Sequence, residues 1–190
     1  PALLSGCDRV SNMLGVTGHV APVPPQPIAP ERLRVSLPSS GAKATLAPVA
    51  QQKESTVWQT LDGITLTFRS GVLSETRGLG DDLMSSDVSD TLRMLKGATG
   101  DRYYPLIRTY LDGEDRTDFR AYQCRKSHQT MQPLQIDGLT LPLHRITEDC
   151  VSPNLRFTNI YWLNQDGTII KSRQWVSPSV GTIETERVMR

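Results

Sequence analysis

The sequence predicts a mainly β fold: an antiparallel β meander that forms a curved sheet, a sandwich or a half-barrel, with one or two short helices. Short runs of alternating, β-prone residues follow one another, and several are separated by an Asp-Gly pair, the strongest short-range hairpin signal. These pairs are Asp62-Gly63, Asp112-Gly113, Asp137-Gly138 and Asp166-Gly167. Repeated hairpin turns favour an antiparallel meander over a βαβ arrangement.

The composition limits the class of protein. A chain of 190 residues fits one domain with extensions. Lys and Arg number 21 against 20 Asp and Glu, so the chain has no positive excess to attract nucleic acid, and no nucleic-acid partner is expected. No apolar run approaches the roughly 18 to 20 residues that a membrane-spanning helix needs. Attachment to a membrane would therefore depend on an anchor.

The first residues resemble the end of a bacterial lipoprotein signal peptide. Leu4, Ser5 and Gly6 precede Cys7 in the pattern of a lipobox, where small residues suit a narrow peptidase groove. Residues 1–6 are then the end of the signal peptide, and Cys7 is the lipid-bearing first residue of the mature chain. Several lipid chains on one residue give stable membrane anchoring where one would not.

Residues 7–52 are predicted to form the lipid-anchored N-terminus and a linker, followed by a β-rich domain over residues 53–190. The linker is dense in Pro and Ala, and proline favours extended conformations without amide donors. Only residues 32–37, RLRVSL, alternate like a short strand. A segment wrapped onto the domain therefore stays an alternative for that stretch.

The predicted domain begins with hairpins and contains one clear helical segment. Runs around residues 57–59 and 64–68 flank the first Asp-Gly pair, and SSDVSDTLRMLKG predicts a helix. Ser86 or Ser89 would be its N-cap and Gly97 its C-cap. In the later strands RYYPLIRTYL and LRFTNIYWL both alternating sets are bulky, and one mixes aromatics with arginines. This pattern predicts a curved sheet whose second face is partly covered or used for contact.

Two cysteines of the domain are predicted to form a disulfide. Cys124 and Cys150 would oxidise in the periplasm, and closing a loop of that length stabilises by roughly 3 to 4 kcal/mol. A zinc site of Cys124, His128, His144 and Cys150 is the alternative, although these spacings match no common zinc knuckle closely. No metal and no cofactor are predicted beyond the lipid on Cys7.

Two stretches resemble the group 4 capsule polysaccharide lipoprotein family (GfcB/YjbF). Residues 157–181 resemble its closing hairpin, through Asn159, Tyr161, Trp162, Asp166, Gly167, Ser172, Gln174 and Trp175. Residues 58–83 resemble its opening, through Arg69, Gly71, Leu73, Thr76, Gly78, Leu79, Gly80, Asp81 and Leu83. With the lipobox, the resemblance covers the anchor and both ends of the domain.

The resemblance implies a periplasm-facing lipoprotein, encoded with machinery that exports capsule or exopolysaccharide, with a β-rich fold and no established catalytic residues. We expect such a protein to assist export or assembly by docking to that machinery, with an outer-membrane β-barrel protein as a candidate partner, or by binding acidic polysaccharide. An outer-membrane location is expected. The inner membrane stays an alternative location because of Asp8, since an aspartate after the lipidated cysteine tends to retain lipoproteins there in enteric bacteria.

Five residues are predicted to contact a glycan or a partner, because aromatic faces beside arginines suit acidic sugars. They are Arg108, Tyr110, Trp162, Arg173 and Trp175. The alternative is that the aromatics belong to the core and that the arginines pair with Glu184 and Glu186.

No catalytic residue is predicted. The chain contains no Gly-x-Ser-x-Gly, His-Glu-x-x-His or phosphate-binding Gly-x-x-x-x-Gly-Lys motif. A carbohydrate-active enzyme that uses Asp81 and Asp82 with Glu114 or Asp115 is the alternative. Adjacent acids in a glycine-rich turn, however, more often cap a helix or solvate a loop. A purely structural role, with docking through an exposed β edge, is a further hypothesis.

Overall fold

The computed structural model describes residues 26–114 and 116–189. Within them lie twelve β-strands and one α-helix. The strands are β1 (Leu33–Leu37), β2 (Ala42–Gln52), β3 (Ser55–Gln59), β4 (Thr65–Arg69), β5 (Val72–Arg77), β6 (Ser85–Ser86), β7 (Tyr104–Leu111), β8 (Thr117–Ile136), β9 (Leu139–Val151), β10 (Arg156–Leu163), β11 (Ile169–Ser177) and β12 (Gly181–Arg187). The helix α1 (Ser89–Leu95) lies between β6 and β7.

All twelve strands form one antiparallel sheet in the order β5-β4-β3-β2-β1-β12-β11-β10-β9-β8-β7-β6. Neighbouring strands are consecutive in the chain except at the centre, where β1 pairs with β12 and Leu33 lies opposite Arg187. The two edge strands also approach each other, since the Thr76 amide donates to the Leu83 carbonyl oxygen at 2.8 Å. The sheet is therefore nearly closed and barrel-shaped, which confirms the predicted mainly β, antiparallel fold.

Each of the four Asp-Gly pairs lies between consecutive strands, at β3–β4, β7–β8, β8–β9 and β10–β11. In the β8–β9 turn, Asp137 has φ 49° and Gly138 has φ 79°. Positive φ at both central residues is typical of a type I′ turn, whose twist matches that of the flanking strands. The local sequence therefore predicted where the chain reverses.

The predicted boundary between linker and domain at residue 53 is wrong. Strands β1 and β2 lie inside the predicted linker, and the buried Leu33 and Leu46 face each other in the register of these strands. Pro48 does not interrupt β2 because the pairing with β3 is irregular between Pro48 and Ala50, where a missing amide donor is tolerated. The alternation in RLRVSL was the better guide. The predicted anchor and the start of the linker lie outside the described residues.

The predicted helix is present as α1, but its predicted caps are wrong. Val88 is the N-cap and makes no side-chain capping bond, whereas Ser86 belongs to β6 and Ser89 is already helical. At the other end Lys96 is the C-cap, and Gly97 follows it with φ 79°. The C-cap therefore lies one residue earlier than predicted, and Gly97 supplies the left-handed turn directly after it.

The interior of the sheet is filled by the inward-facing side chains of alternating residues. In β7 the buried set includes Leu106, Arg108 and Tyr110, while Pro105 and Ile107 face outward. The set that mixes aromatics with an arginine is therefore the core set of this strand. Of the two alternatives predicted for this face, partly covered or used for contact, burial in β7 confirms that it is covered.

The long β8–β9 hairpin folds back over the outer face of the sheet. The ladder is irregular between Lys126 and His128, and beyond that point a second apolar cluster forms around Ile136, Leu143 and Ile170. The tip is held by Asp137, which accepts from Arg34 Nη2 at 2.6 Å and from the Met189 amide at 2.8 Å. The hairpin thereby covers part of the outer face.

The predicted disulfide is present between β8 and β9. Cys124 and Cys150 lie directly opposite in register, are fully buried, and are joined by an S–S bond of 2.01 Å. The zinc alternative is wrong because both sulfur atoms are bonded to each other. His128 pairs in register with Thr147, and His144 with Met131, so the four proposed ligands do not face one another.

We expect the disulfide between β8 and β9 to stabilise the domain. Reducing the wild-type protein should lower its free energy of unfolding by roughly 3 to 4 kcal/mol, because the unfolded chain gains loop entropy. Urea denaturation with and without reductant measures this difference. The Cys124→Ala/Cys150→Ala variant is the control, since reductant should not change its stability. An unchanged wild-type midpoint on reduction would contradict the prediction.

A second prediction concerns acid stability. Burial alone would raise the pKa of Glu186, but hydrogen bonds from Arg34 and Lys171 outweigh burial and lower it. A lowered carboxyl pKa stabilises the fold above the unfolded value of about 4.5, and this contribution is lost as the pH falls through the folded value. On acidification, the free energy of unfolding of the wild type should therefore fall by up to about 1 kcal/mol more than that of Glu186→Gln. Urea denaturation of both proteins across this pH range measures the difference. If their free energies of unfolding change in parallel with pH, the lowered pKa of Glu186 is refuted.

Candidate functional site

The five predicted contact residues do not form one surface. Arg108, Tyr110 and Trp175 are buried inside the sheet, whereas Trp162 and Arg173 lie on its outer face. A glycan on either side could therefore meet only part of the predicted set.

Arg108 is held in the interior by backbone oxygens and aromatic rings. It is 2% exposed, and its Nη1 donates to the carbonyl oxygens of Trp175 at 2.7 Å and Val176 at 3.3 Å. Its guanidinium carbon lies 5.3 Å from the centroid of the Phe157 ring and 5.4 Å from that of Trp175. A desolvated guanidinium needs such partners. Arg108 therefore ties β7 to β11 rather than facing a ligand.

Tyr110 makes a parallel link between the same two strands. Its hydroxyl donates to the Val176 carbonyl oxygen at 2.6 Å, beside the bond from Arg108. Burial raises the pKa of Tyr110, although the nearby charge of Arg108 opposes the shift, so the hydroxyl keeps the proton that it donates. The alternative interpretation of the buried aromatics as core residues is confirmed for Tyr110 and Trp175.

The two outward-facing residues are also engaged. Trp162 packs against the second apolar cluster beneath the β8–β9 hairpin and donates from Nε1 to Gln132 Oε1 at 3.0 Å. Arg173 Nε donates to Glu184 Oε1 at 2.8 Å, which confirms one of the alternative ion pairs. Glu186 instead binds Arg34 and Lys171.

Glu148 is the most densely bonded polar group of the interior, and the sequence did not single it out. It is fully buried in β9, and its carboxyl oxygens accept four hydrogen bonds. The donors are Thr91 Oγ1 at 2.7 Å, the Tyr104 hydroxyl at 2.6 Å, Asn159 Nδ2 at 2.7 Å and the Tyr161 hydroxyl at 3.2 Å. These donors come from α1, β7 and β10, so one carboxyl connects three elements to its own strand.

The tyrosines around Glu148 are fixed as donors. Burial first, and then the charge of Glu148, raise the pKa of Tyr104 and of Tyr161 well above the usual range. Asn159 extends the network, because its Oδ1 accepts from the Trp175 amide at 2.8 Å. With its acceptor sites occupied and no access to solvent, the carboxyl of Glu148 has a structural role. The sequence offered one hint of this network: in β10 the polar Asn159 falls in the same alternating set as Phe157 and Tyr161.

The first two acids of the enzymatic alternative, Asp81 and Asp82, lie in the loop between β5 and β6 and are both hydrogen-bonded within the protein. Asp82 accepts from Thr76 Oγ1 at 2.8 Å, from the Gly78 amide at 2.8 Å and from the Leu79 amide at 3.1 Å. Asp81 Oδ2 accepts from Ser179 Oγ at 2.7 Å. Both carboxylates therefore organise the loop.

The other two acids of that alternative do not join them. Glu114 lies 3.0 Å from Arg116 in the turn between β7 and β8. Asp115 lies outside the described residues. Of the two predicted partners of Asp81 and Asp82, the structure describes only Glu114, and Glu114 does not join them.

The outer face of β7 and β8 exposes several apolar side chains. Phe119 is 72% exposed, Ile107 46% and Leu111 41%, and Pro105 and Ala121 beside them are also exposed. Ile107 lies opposite Ala121 in register, so these residues form a continuous surface across two strands. We call it the β7–β8 outer patch. Exposed apolar patches of this kind mark interaction surfaces.

The predicted lipidation site falls outside the described residues, as does Asp8 after it, so Cys7 as an anchor stays a prediction. In the part of the chain that the structure describes, no helix has the length and apolar character needed to cross a bilayer.

Comparison with known proteins agrees with the fold. The family described as group 4 capsule polysaccharide lipoprotein GfcB, YjbF matches residues 26–188. The crystal structure of the hypothetical lipoprotein YmcC from Escherichia coli K12 is similar, with a TM-score of 0.69 over 85% of each chain at 16% identity. At that identity the likeness shows a shared fold. No curated protein matches this chain significantly.

We predict that the fold depends strongly on Glu148. Glu148→Ala should lower the free energy of unfolding by roughly 3 kcal/mol or more, because it leaves a cavity and unpaired buried donors. Glu148→Gln should cost less, since the hydroxyls of Thr91 and Tyr104 can rotate to accept from an amide. Denaturant unfolding measures both variants. Glu114→Ala, on an exposed carboxylate, is the control, and equal stability of the two alanine variants would contradict the prediction.

Proposed function

This chain belongs to the group 4 capsule polysaccharide lipoprotein family, and we propose that it is a non-catalytic cell-envelope lipoprotein that assists the export or assembly of capsule or exopolysaccharide. It acts through the outside of its sheet, by docking to the export machinery or by binding the polysaccharide. The observation that carries this proposal is that the buried charged side chains Arg108 and Glu148 are hydrogen-bonded to the protein itself, whereas apolar and cationic side chains are exposed on the outer face.

The bonding of the acidic residues supports a role without catalysis. A general acid or base must reach the proton that it transfers on a substrate. Glu148 is fully buried, and Asp82 accepts three hydrogen bonds that hold its own loop. Asp81 is likewise bonded to Ser179. The arrangement therefore favours recognition over the alternative of a carbohydrate-active enzyme.

The β7–β8 outer patch supports docking to a protein of the export machinery, with an outer-membrane β-barrel protein as the candidate partner. Apolar side chains as exposed as Phe119 become favourable when a partner removes them from water. The β5 edge is less suited to strand addition, because the Leu73 amide already donates to Gln174 Oε1 and the Thr76 amide to Leu83. Docking through the face of the sheet is thus preferred over docking through its edge.

The proposed anchor is lipid on Cys7, which would hold the domain at the membrane surface through the residues that precede β1. We propose the outer membrane as the location. Retention at the inner membrane through Asp8 is the alternative, and separation of the two membranes by density distinguishes them.

The experiment is a deletion strain complemented with wild type or with Cys7→Ser, with surface and secreted polysaccharide measured in each. We expect polysaccharide to fall on deletion and to be restored by wild type only. Cys7→Ser should accumulate as folded protein in the soluble fraction, because the domain does not need the lipid to fold.

Two results would contradict the proposal. Unchanged polysaccharide after deletion, under conditions where the gene is expressed, would refute the export role. A Cys7→Ser protein that stays fully membrane-bound would refute the anchor. Immunoblotting of both fractions supplies the control, since equal amounts of variant and wild type exclude degradation as the cause of a failed complementation.

A further inference from the structure

We infer that a cleft on the outer face of β8, β9 and β10 binds an acidic sugar unit of a polysaccharide. This inference rests on the proposed function and gives it a site. The cleft has a volume of about 330 Å³, and its polar and aromatic lining includes Tyr103, Arg125, Asp149, Arg156 and Thr158. We call it the outer cleft. None of the residues that carried the family resemblance belongs to this group of five.

The outer cleft is built on rigid structure. Arg125 lies opposite Asp149 in the β8–β9 register, and Asp149 lies opposite Thr158 in the β9–β10 register, so these side chains form one row across three strands. The disulfide between Cys124 and Cys150 joins the adjacent positions of β8 and β9 and is buried beneath the row. The lining is therefore organised before any ligand binds, which reduces the entropy lost on binding.

Tyr103 supplies an exposed aromatic face. Its side chain is 54% exposed, although it is large and partly apolar. The guanidinium carbon of Arg125 lies 5.1 Å from the centroid of the Tyr103 ring, within cation–π range. An aromatic ring held in this way offers an apolar surface for the C–H face of a sugar ring, with a hydroxyl at its edge for hydrogen bonding.

The charge of the outer cleft favours an anion. Arg125 and Arg156 are both exposed, and among the described residues neither has an acidic group within ion-pair distance. Asp149 is the single acid of the lining, and it accepts from Thr158 Oγ1 at 2.8 Å. Two guanidinium groups against one carboxylate leave a net positive lining, and guanidinium groups bind carboxylates with two parallel hydrogen bonds.

A larger cavity on the outer face is less suited to an anionic ligand. This cavity, of about 420 Å³, is lined by residues of β1, β2, β11 and β12 that include Arg34, Lys171, Glu184 and Glu186. Glu186 already binds both Arg34 and Lys171. An acidic sugar there would have to displace a protein carboxylate, whereas the arginines of the outer cleft make no such pair.

The test is binding of a galacturonic acid oligosaccharide to the full chain carrying Cys7→Ser, measured by calorimetry at low ionic strength. Arg125→Gln and Arg156→Gln should each weaken binding about tenfold, as expected for loss of one charge-assisted contact. Tyr103→Ala should also weaken it, whereas Tyr103→Phe should retain it. Unchanged thermal unfolding midpoints would show that these exposed substitutions leave the fold intact.

Arg116→Gln is the matched control, because it removes one positive charge from an exposed side chain in the turn at the opposite end of β7. It should bind the oligosaccharide as the parent protein does. If Arg116→Gln weakened oligosaccharide binding as much as Arg156→Gln, the effect would be explained by net charge alone, and the assignment of the outer cleft as the binding site would be overturned.

Two further ligands complete the test. A neutral dextran oligosaccharide should not bind, and poly-glutamate should bind more weakly than the uronic acid oligosaccharide. Equal binding of poly-glutamate would assign the cleft to acidic peptides and overturn the inference. Absence of uronic acid binding would also overturn it, while the export role, measured in the deletion strain, would stand on its own result.

Discussion

The buried carboxyl of Glu148 joins four elements of the fold by hydrogen bonds. A carboxyl group without water is strongly unfavourable unless donors surround it. Here α1, β7 and β10 each supply donors to Glu148. Asn159, one of these donors, also accepts a hydrogen bond from the Trp175 amide in β11. Arg108 reaches β11 from β7 through the carbonyl oxygens of Trp175 and Val176. Together these bonds join α1, β7, β9, β10 and β11 through the interior of the sheet.

The residues that carry the family resemblance are largely those that hold the fold. Asn159 and Tyr161 bind Glu148, and Gln174 joins β11 to β5 by bonds to the Leu73 amide and the Gly71 carbonyl oxygen. Asp81, in the loop between β5 and β6, accepts from Ser179 in the turn between β11 and β12. The motif therefore identifies a shared architecture, while the exposed patch and the outer cleft lie elsewhere.

Local signals predicted four of the turns between strands, but they could not predict the content of the interior. Each Asp-Gly pair specifies a turn by its own backbone preferences, so its effect is visible without knowledge of the rest of the chain. Arg108 and Glu148 are charged residues, which a hydrophobic pattern assigns to the surface, and their burial depends on partners far away in sequence. The prolines of the predicted linker suggested an extended tether, yet Pro48 lies where the β2–β3 ladder is irregular. The outer cleft was missed because its residues come from different strands.

We propose that recognition occurs on the outer face and that the bonded residues of the interior have a structural role. The most direct measurement is an amide chemical-shift map of the full chain carrying Cys7→Ser, titrated with the galacturonic acid oligosaccharide. We expect shifts concentrated at Tyr103, Arg125 and Arg156, with Glu148 and Trp175 unchanged. Shifts centred on Glu148 and Trp175 would instead place the ligand inside the sheet and refute recognition on the outer face.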